Sequence, residues 1–295
     1  MTMRNISNKF VLLLVSFMAV GIFSCQKMSR PVLGNYPQDK PVTPATELRF
    51  FVPFDSTSPE DKQINIRFKD SISGYPSFFP DKSVTYDVGI HGTALKPGPG
   101  NAVKWISAND FAATAKSFTM ALWEKSTGVP HSNPQFVMSL VDKDYWHNSG
   151  MFLLFDHDGA GSTADSAAVS FVVKDDWYVF HNKDRIPKVY NKQWHQLVFV
   201  YDQTTSKLTT YVDGQALTGL STDATGPSGS LLAGPLNLTA NSVSNMVIGG
   251  WNKHVAIDGP TDAWIDSFSG LIDQFRLYNK ALSASEVLAL YNSKL

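Results

Sequence analysis

Residues Trp194 to Leu217 read WHQLVFVYDQTTSKLTTYVDGQAL, and this stretch decides the fold. Val198 to Tyr201 is a β-prone run, Asp202 to Thr205 are turn formers, and Leu208 to Val212 is a second β-prone run. Asp213-Gly214 is the dipeptide that a type I′ turn selects, because both central residues need φ > 0 and these two types tolerate it best. A third strand follows at once, so the middle of the chain is an antiparallel meander.

Similar signals recur on both sides. Glu47 to Phe54 is the first strand, with Pro53 confining it to an edge or a strand end. Gly92 to Leu95 and Ala102 to Ile106, joined by a Pro/Gly loop, predict a hairpin. Ser117 to Glu124 carries apolar groups on both faces of a period-two pattern, which places it centrally in a layered fold. Strands follow at Phe136 to Val141, Met151 to Asp156, Ala167 to Lys174, Trp177 to Phe180, Pro235 to Leu238, Asn245 to Gly249 and Phe268 to Tyr278. Many short strands without alternating helices indicate an all-β, two-sheet antiparallel jelly-roll sandwich. Ser283 and Glu286 form a capping box that starts a short C-terminal helix near Ala284.

Four of these segments, Ser117 to Glu124, Trp194 to Leu217, Val247 to Gly250 and Phe268 to Glu286, resemble in order the LamG-like jelly-roll domain of the concanavalin A-like lectin/glucanase superfamily. The resemblance implies a concanavalin A-like sandwich, in a superfamily that includes lectins, glycanases, adhesion modules and spacers. It also implies one structural calcium, held by Asp55, the Gly92 carbonyl and Asp273, which are hard oxygen donors of the kind that ion takes. The alternative is that Asp273 accepts hydrogen bonds from backbone amides.

The N-terminus belongs to export. Arg4 and Lys9 precede an apolar run, Phe10 to Phe23, that is short for a membrane span. Ser24 before Cys25, the single cysteine, resembles a bacterial, Bacteroidota-like lipobox. Residues 1–24 are then a lipoprotein signal peptide, Cys25 the lipidated first residue of a Pro-rich tether over 25–46, and 47–295 the jelly-roll domain. Ordinary secretion with a spare thiol is the alternative. The anchor implies an outer-membrane lipoprotein, with the cell surface favoured over the periplasmic face and the membrane reached through lipid alone. A lone cysteine permits no internal disulfide, so stability rests on the core. A formal net charge of −1 without basic runs gives no basis for nucleic-acid binding.

Neither the carboxylate-rich strand of retaining glycanases nor any metal-protease, phosphate-loop or serine-hydrolase motif is present, which points to a non-catalytic protein without an organic cofactor. His195 reads as a strand residue with a hydrogen-bond partner, and Asp156-His157-Asp158-Gly159 as a turn. Aromatic residues make up 12% of the chain, and several sit in polar loops. Tyr145, Trp146 and Asn148, then Trp177, then Trp251, Asn252, His254 and Trp264 combine rings that stack on sugars with groups that bond hydroxyls. These are the candidate contacts to a polysaccharide or glycan. A protein-binding or structural module of the same fold is the second reading, and a hydrolase with an unfamiliar site the third.

Overall fold

The structure is a computed structural model that describes residues 44–55, 68–78, 84–130, 132–141, 149–226, 232–238 and 245–294. Residues 1–43, which include the expected signal peptide, Cys25 and most of the expected tether, lie outside the described residues, as do Tyr145, Trp146 and Asn148.

Period-two strands bury alternate side chains, and here they do so between two sheets. The eight-stranded sheet holds β1 (Leu48–Val52), β2 (Thr85–Val88), β3 (Thr93–Lys96), β5 (Phe118–Lys125), β10 (His195–Asp202), β11 (Lys207–Val212), β12 (Gln215–Ala216) and β15 (Leu271–Tyr278). Its order is β12-β11-β10-β5-β15-β3-β2, with β1 also on β15. The seven-stranded sheet holds β4 (Val103–Trp105), β6 (Gln135–Val141), β7 (Met151–Phe155), β8 (Val169–Val173), β9 (Asp176–Phe180), β13 (Asn245–Ile248) and β14 (Asp266–Ser267). Its order is β4-β13-β6-β7-β8-β9, with β14 parallel to β6.

Phe118, Met120 and Leu122 of β5 and Leu197, Phe199 and Tyr201 of β10 meet Leu153, Phe155, Val169 and Phe171 in one core. Phe171 stacks on Phe199 across the sheets with ring centroids 4.8 Å apart. The meander forms as its sequence dictates: β10, β11 and β12 pair in series, and Asp213 and Gly214 take φ of 51° and 74°.

Each sheet also has an apolar outward face. That of the eight-stranded sheet is covered by the C-terminal helix, Ala284–Ser293, whose Val287 packs with Ala121, Val198 and Leu282. The capping box is formed: Glu286 N donates to Ser283 Oγ and Ser283 N to Glu286 Oε2. Trp123 of β5 stacks on Tyr291 of the helix at 5.5 Å.

Two strand expectations are corrected. β3 and β4 are not a hairpin, because the Pro97 to Gly100 loop carries the chain from one sheet to the other. Pro235 to Leu238 is not a strand. Pro235 has no N–H to give a ladder, and the segment is held by Leu236 N donating to Lys116 O and by the burial of Leu236 and Leu238.

Candidate functional site

The outward face of the seven-stranded sheet gathers most of the rings that the sequence singles out. Register sets Phe152 of β7 opposite Val172 of β8, and Val172 opposite Trp177 of β9. The connection between β13 and β14 folds over this face and brings Trp251, Val255 and Ile265 onto it. Four ring contacts result. Trp264 lies 6.0 Å from Phe136, Phe136 4.9 Å from Trp251, Trp251 5.3 Å from Phe152, and Phe152 5.6 Å from Trp177. The ends of this run, Trp264 and Trp177, are half-buried, while its middle is closed to solvent.

Trp251, Asn252 and His254 are therefore corrected from open sugar contacts to buried residues of the covering loop. Trp251 fills the space between Phe136 and Phe152, which takes more apolar surface out of water than an exposed ring would. His254 turns back so that its Nδ1 accepts the Trp251 N–H at 3.0 Å. Burial, with Lys253 beside it, pushes the imidazole down to about 4, so it is neutral at physiological pH. Asn252 is wholly enclosed, and among the described residues neither atom of its amide has a partner; nor does the Trp251 Nε1.

Below Trp177 the same face carries polar groups that the sequence shows only as a turn and a strand end. Asp156 Oδ2 accepts Ser170 Oγ at 3.1 Å and lies 2.8 Å from His181 Nε2. The signal for this group is alternation along β9, which puts Trp177, Val179 and His181 on one face.

Asp55, Gly92 and Asp273 come together at a different place, the turn from Gly89 to Thr93. Asp273 Oδ2 accepts the N–H groups of Ile90 at 2.8 Å and His91 at 3.4 Å, and its Oδ1 accepts that of Gln274. Asp55 Oδ1 accepts Thr93 N, and its Oδ2 meets His91 Nδ1, each at 3.0 Å. The Gly92 carbonyl accepts Gly89 N. Both glycines are required, since a Cβ on Gly89 would stand 2.4 Å from Asp273 Oδ2 and one on Gly92 2.1 Å from Asp55 Oδ1. A bulge at Gln274, with φ of 50°, aims Asp273 at the turn. Burial and then the Asp55 charge, opposed by the amides, push the Asp273 carboxyl up to about 8. The two carboxylates share the turn as hard oxygen donors, and both already accept backbone N–H groups there, the alternative to a bound ion that the sequence also allows. Among the described residues no three acidic, histidine or cysteine side chains gather as a metal-binding group.

His195 is engaged on both sides, by Asp213 at 2.9 Å and Asn191 at 3.0 Å. Burial alone would raise the Asp213 carboxyl, but hydrogen bonds from His195, Lys188 and the Gln196 amide outweigh it and hold the group below its ordinary value. Glu124 shares the inward face with Leu122, fully enclosed, and burial drives its carboxyl well above the ordinary range.

This two-sheet architecture has many relatives. A laminin G-type profile described as concanavalin A-like lectin/glucanases superfamily matches residues 98–288. The chain belongs to that superfamily. Among solved structures of similar fold is domain 4 of AbnA, a GH43 extracellular arabinanase from Geobacillus stearothermophilus, in complex with arabinotriose. It aligns with a TM-score of 0.51 and 17% identity over 83% of this chain and 98% of that one. The receptor binding domain of botulinum neurotoxin D aligns with a TM-score of 0.53 and 12% identity over 84% of this chain and 53% of that one. The binding domain of botulinum neurotoxin DC in complex with SialylT gives 0.52 and 11%, over 84% and 52%. The chain thus corresponds to about half the length of each neurotoxin domain. No curated protein matches the chain in sequence. At these identities the likenesses are of fold.

Proposed function

We propose that this protein is a non-catalytic carbohydrate-binding module of a lipid-anchored bacterial surface protein. The observation that carries this is the run of rings on the outward face of the seven-stranded sheet, with Trp177 and Trp264 half-buried at its ends. Indole faces stack on the apolar faces of sugar rings, and a preformed row of them costs little conformational entropy on binding. The arabinotriose bound by the AbnA domain and the SialylT bound by the neurotoxin domain support a glycan as the ligand class.

A non-catalytic role is supported by the use of the paired carboxylates. A retaining glycosidase needs two that face substrate about 5 Å apart. Asp55 and Asp273 are both taken up by the turn between Gly89 and Thr93, and Glu124 is sealed in the core. Binding of the purified chain to a polysaccharide panel tests the module. Trp177→Ala with Trp264→Ala should lower affinity about tenfold, the loss expected when ring contacts of about 0.5–1.5 kcal/mol each are removed. A folded chain that binds no glycan overturns the reading in favour of a protein-binding module.

Cys25 carries the anchor in this proposal, holding the domain to the outer membrane on its cell-surface side. Metabolic fatty-acid labelling that survives Cys25→Ser would refute it. Among the described residues, no helix is long and apolar enough to cross a membrane.

The Gly89 to Thr93 turn is proposed to hold one calcium ion through Asp55, Asp273 and the Gly92 carbonyl, with water completing the shell. Without the ion, the Asp273 carboxyl, ordinarily near 3.8 and raised to about 8, favours the fold in its protonated form. Its contribution is fully present below pH 3.8 and is lost as pH rises through about 8. Calcium added at pH about 8 should raise the melting temperature, and Asp273→Asn should abolish that response. A melting temperature indifferent to calcium there rules the site out.

A further inference from the structure

The Asp156 main chain and side chain do different work. Its N–H donates to Ala168 O at 2.9 Å, and its carbonyl accepts Tyr190 Oη at 2.9 Å and Ser162 Oγ at 3.1 Å, so backbone bonds fix the end of β7. The carboxylate holds no backbone. It bonds only the Ser170 hydroxyl and the His181 imidazole, and those two side chains have Asp156 as their sole partner among the described residues. Three polar groups thus form an island on a face otherwise lined by Leu154, Val172 and Val179, and the scaffold does not depend on them.

The island is in line with the rings. Register stacks Phe152, Val172 and Trp177 in one row, and Leu154, Ser170 and Val179 in the next. Asp156 and His181 extend the face by one row more. At about 3.3 Å per residue, His181 lies about 13 Å from Trp177 along the strand, a span longer than one sugar ring. The Asp156 side chain is 12% exposed and that of His181 30%, so both reach the surface at the far end of the stripe.

We infer that the Trp177, Asp156 and His181 stripe binds a neutral oligosaccharide, with one ring on Trp177 and the hydroxyls of a ring further along on the carboxylate and imidazole. This rests on the glycan-binding reading and adds the sugar class and the polar subsite. Asp156 Oδ1, left without a partner among the described residues, accepts hydroxyl protons, and the second imidazole nitrogen takes another hydroxyl. No Lys or Arg side chain neutralises Asp156 among the described residues. A uronate or sialate carboxylate would meet the like charge of Asp156, which among the described residues only the His181 imidazole can offset, whereas a neutral sugar brings no charge to oppose it.

The test is a calorimetric titration of the full chain and its variants with matched neutral and polyuronate oligosaccharides. The neutral ligand should bind at least about tenfold more tightly than the polyuronate, and His181→Ala should weaken it by about tenfold, the scale of losing one or two hydrogen bonds to a sugar. Asp156→Asn should narrow the preference for neutral ligand while leaving the melting temperature close to that of the parent. Should Asp156→Asn misfold, His181→Ala, at a more exposed position, decides alone. Neutral binding that is lost in Trp177→Ala but unchanged in His181→Ala overturns the subsite and leaves the glycan reading standing. Equal binding of polyuronate overturns the neutral class. Binding of neither ligand, together with silence across the wider panel, removes the glycan reading itself.

Discussion

Both sheets are covered on the face turned away from the shared core, and the two covers are built differently. Over the eight-stranded sheet lies a capped helix that packs aliphatic groups, Ala121, Val198, Val200, Leu282 and Val287, beside Tyr211 and the Trp123–Tyr291 ring pair. Beneath it Thr119 is fully buried with both its bonds made, the hydroxyl donating to Lys280 O at 2.8 Å and accepting Leu282 N at 2.9 Å, whereas Trp123 Nε1 and Gln196 Oε1 have no partner among the described residues. Over the seven-stranded sheet lies a loop that covers by rings, leaves two tryptophans half-buried, and buries an amide and an indole N–H without partners among the described residues. Unmade hydrogen bonds occur under both covers, and what sets the loop apart is a continuous run of rings that ends in two half-buried tryptophans within reach of a ligand.

The contrast breaks first at Trp251. If this ring is the keystone of the loop, Trp251→Ala should cost about 3–5 kcal/mol in a denaturant titration, the range for deleting a large aromatic from a packed core. A loss below about 1 kcal/mol would mean that the loop merely rests on the sheet. Under the helix the expected effect is smaller. Thr119→Val keeps the volume but strands the Leu282 N–H and the Lys280 carbonyl, which should cost about 1–3 kcal/mol. No measurable loss would show that water can replace the hydroxyl.

The helix cover was legible from sequence and the loop cover was not, for a physical reason. Ser283, Glu286, Leu282 and Val287 are within five residues of one another, so cap and staple are local facts. The meander is equally local, since period-two alternation and Asp213-Gly214 specify strand and turn without reference to the rest of the chain. The ring run depends on Phe136 and Phe152, which become neighbours of Trp251 only through the register of β6 with β7 and the return of the chain over them. A tryptophan in a polar loop therefore read as exposed when it was the plug of that loop. The same holds for the turn at Asp273. Aiming this carboxyl at Gly89 to Thr93 takes a bulge with Gln274 at positive φ, a backbone state that a glutamine does not announce. Pro97 to Gly100 was recognisable as a turn, but a proline-glycine loop serves a sheet-to-sheet corner as readily as a hairpin.

The smallest expected effect discriminates most sharply between the covers. Asn252 is wholly buried with neither amide atom bonded among the described residues, so in the folded state it carries a desolvation cost of about 1–3 kcal/mol that none of them returns. Leucine has nearly the same length, and Asn252→Leu removes that cost while giving up some fit around the branched end. The two effects oppose each other, and the net change should lie within about 1 kcal/mol of zero, on the stabilising side. The matching exchange under the helix, Thr119→Val, has the opposite sign because its hydrogen bonds are made. If Asn252→Leu instead costs as much as Thr119→Val, the amide is bonded in solution, by water or by a shift of the loop.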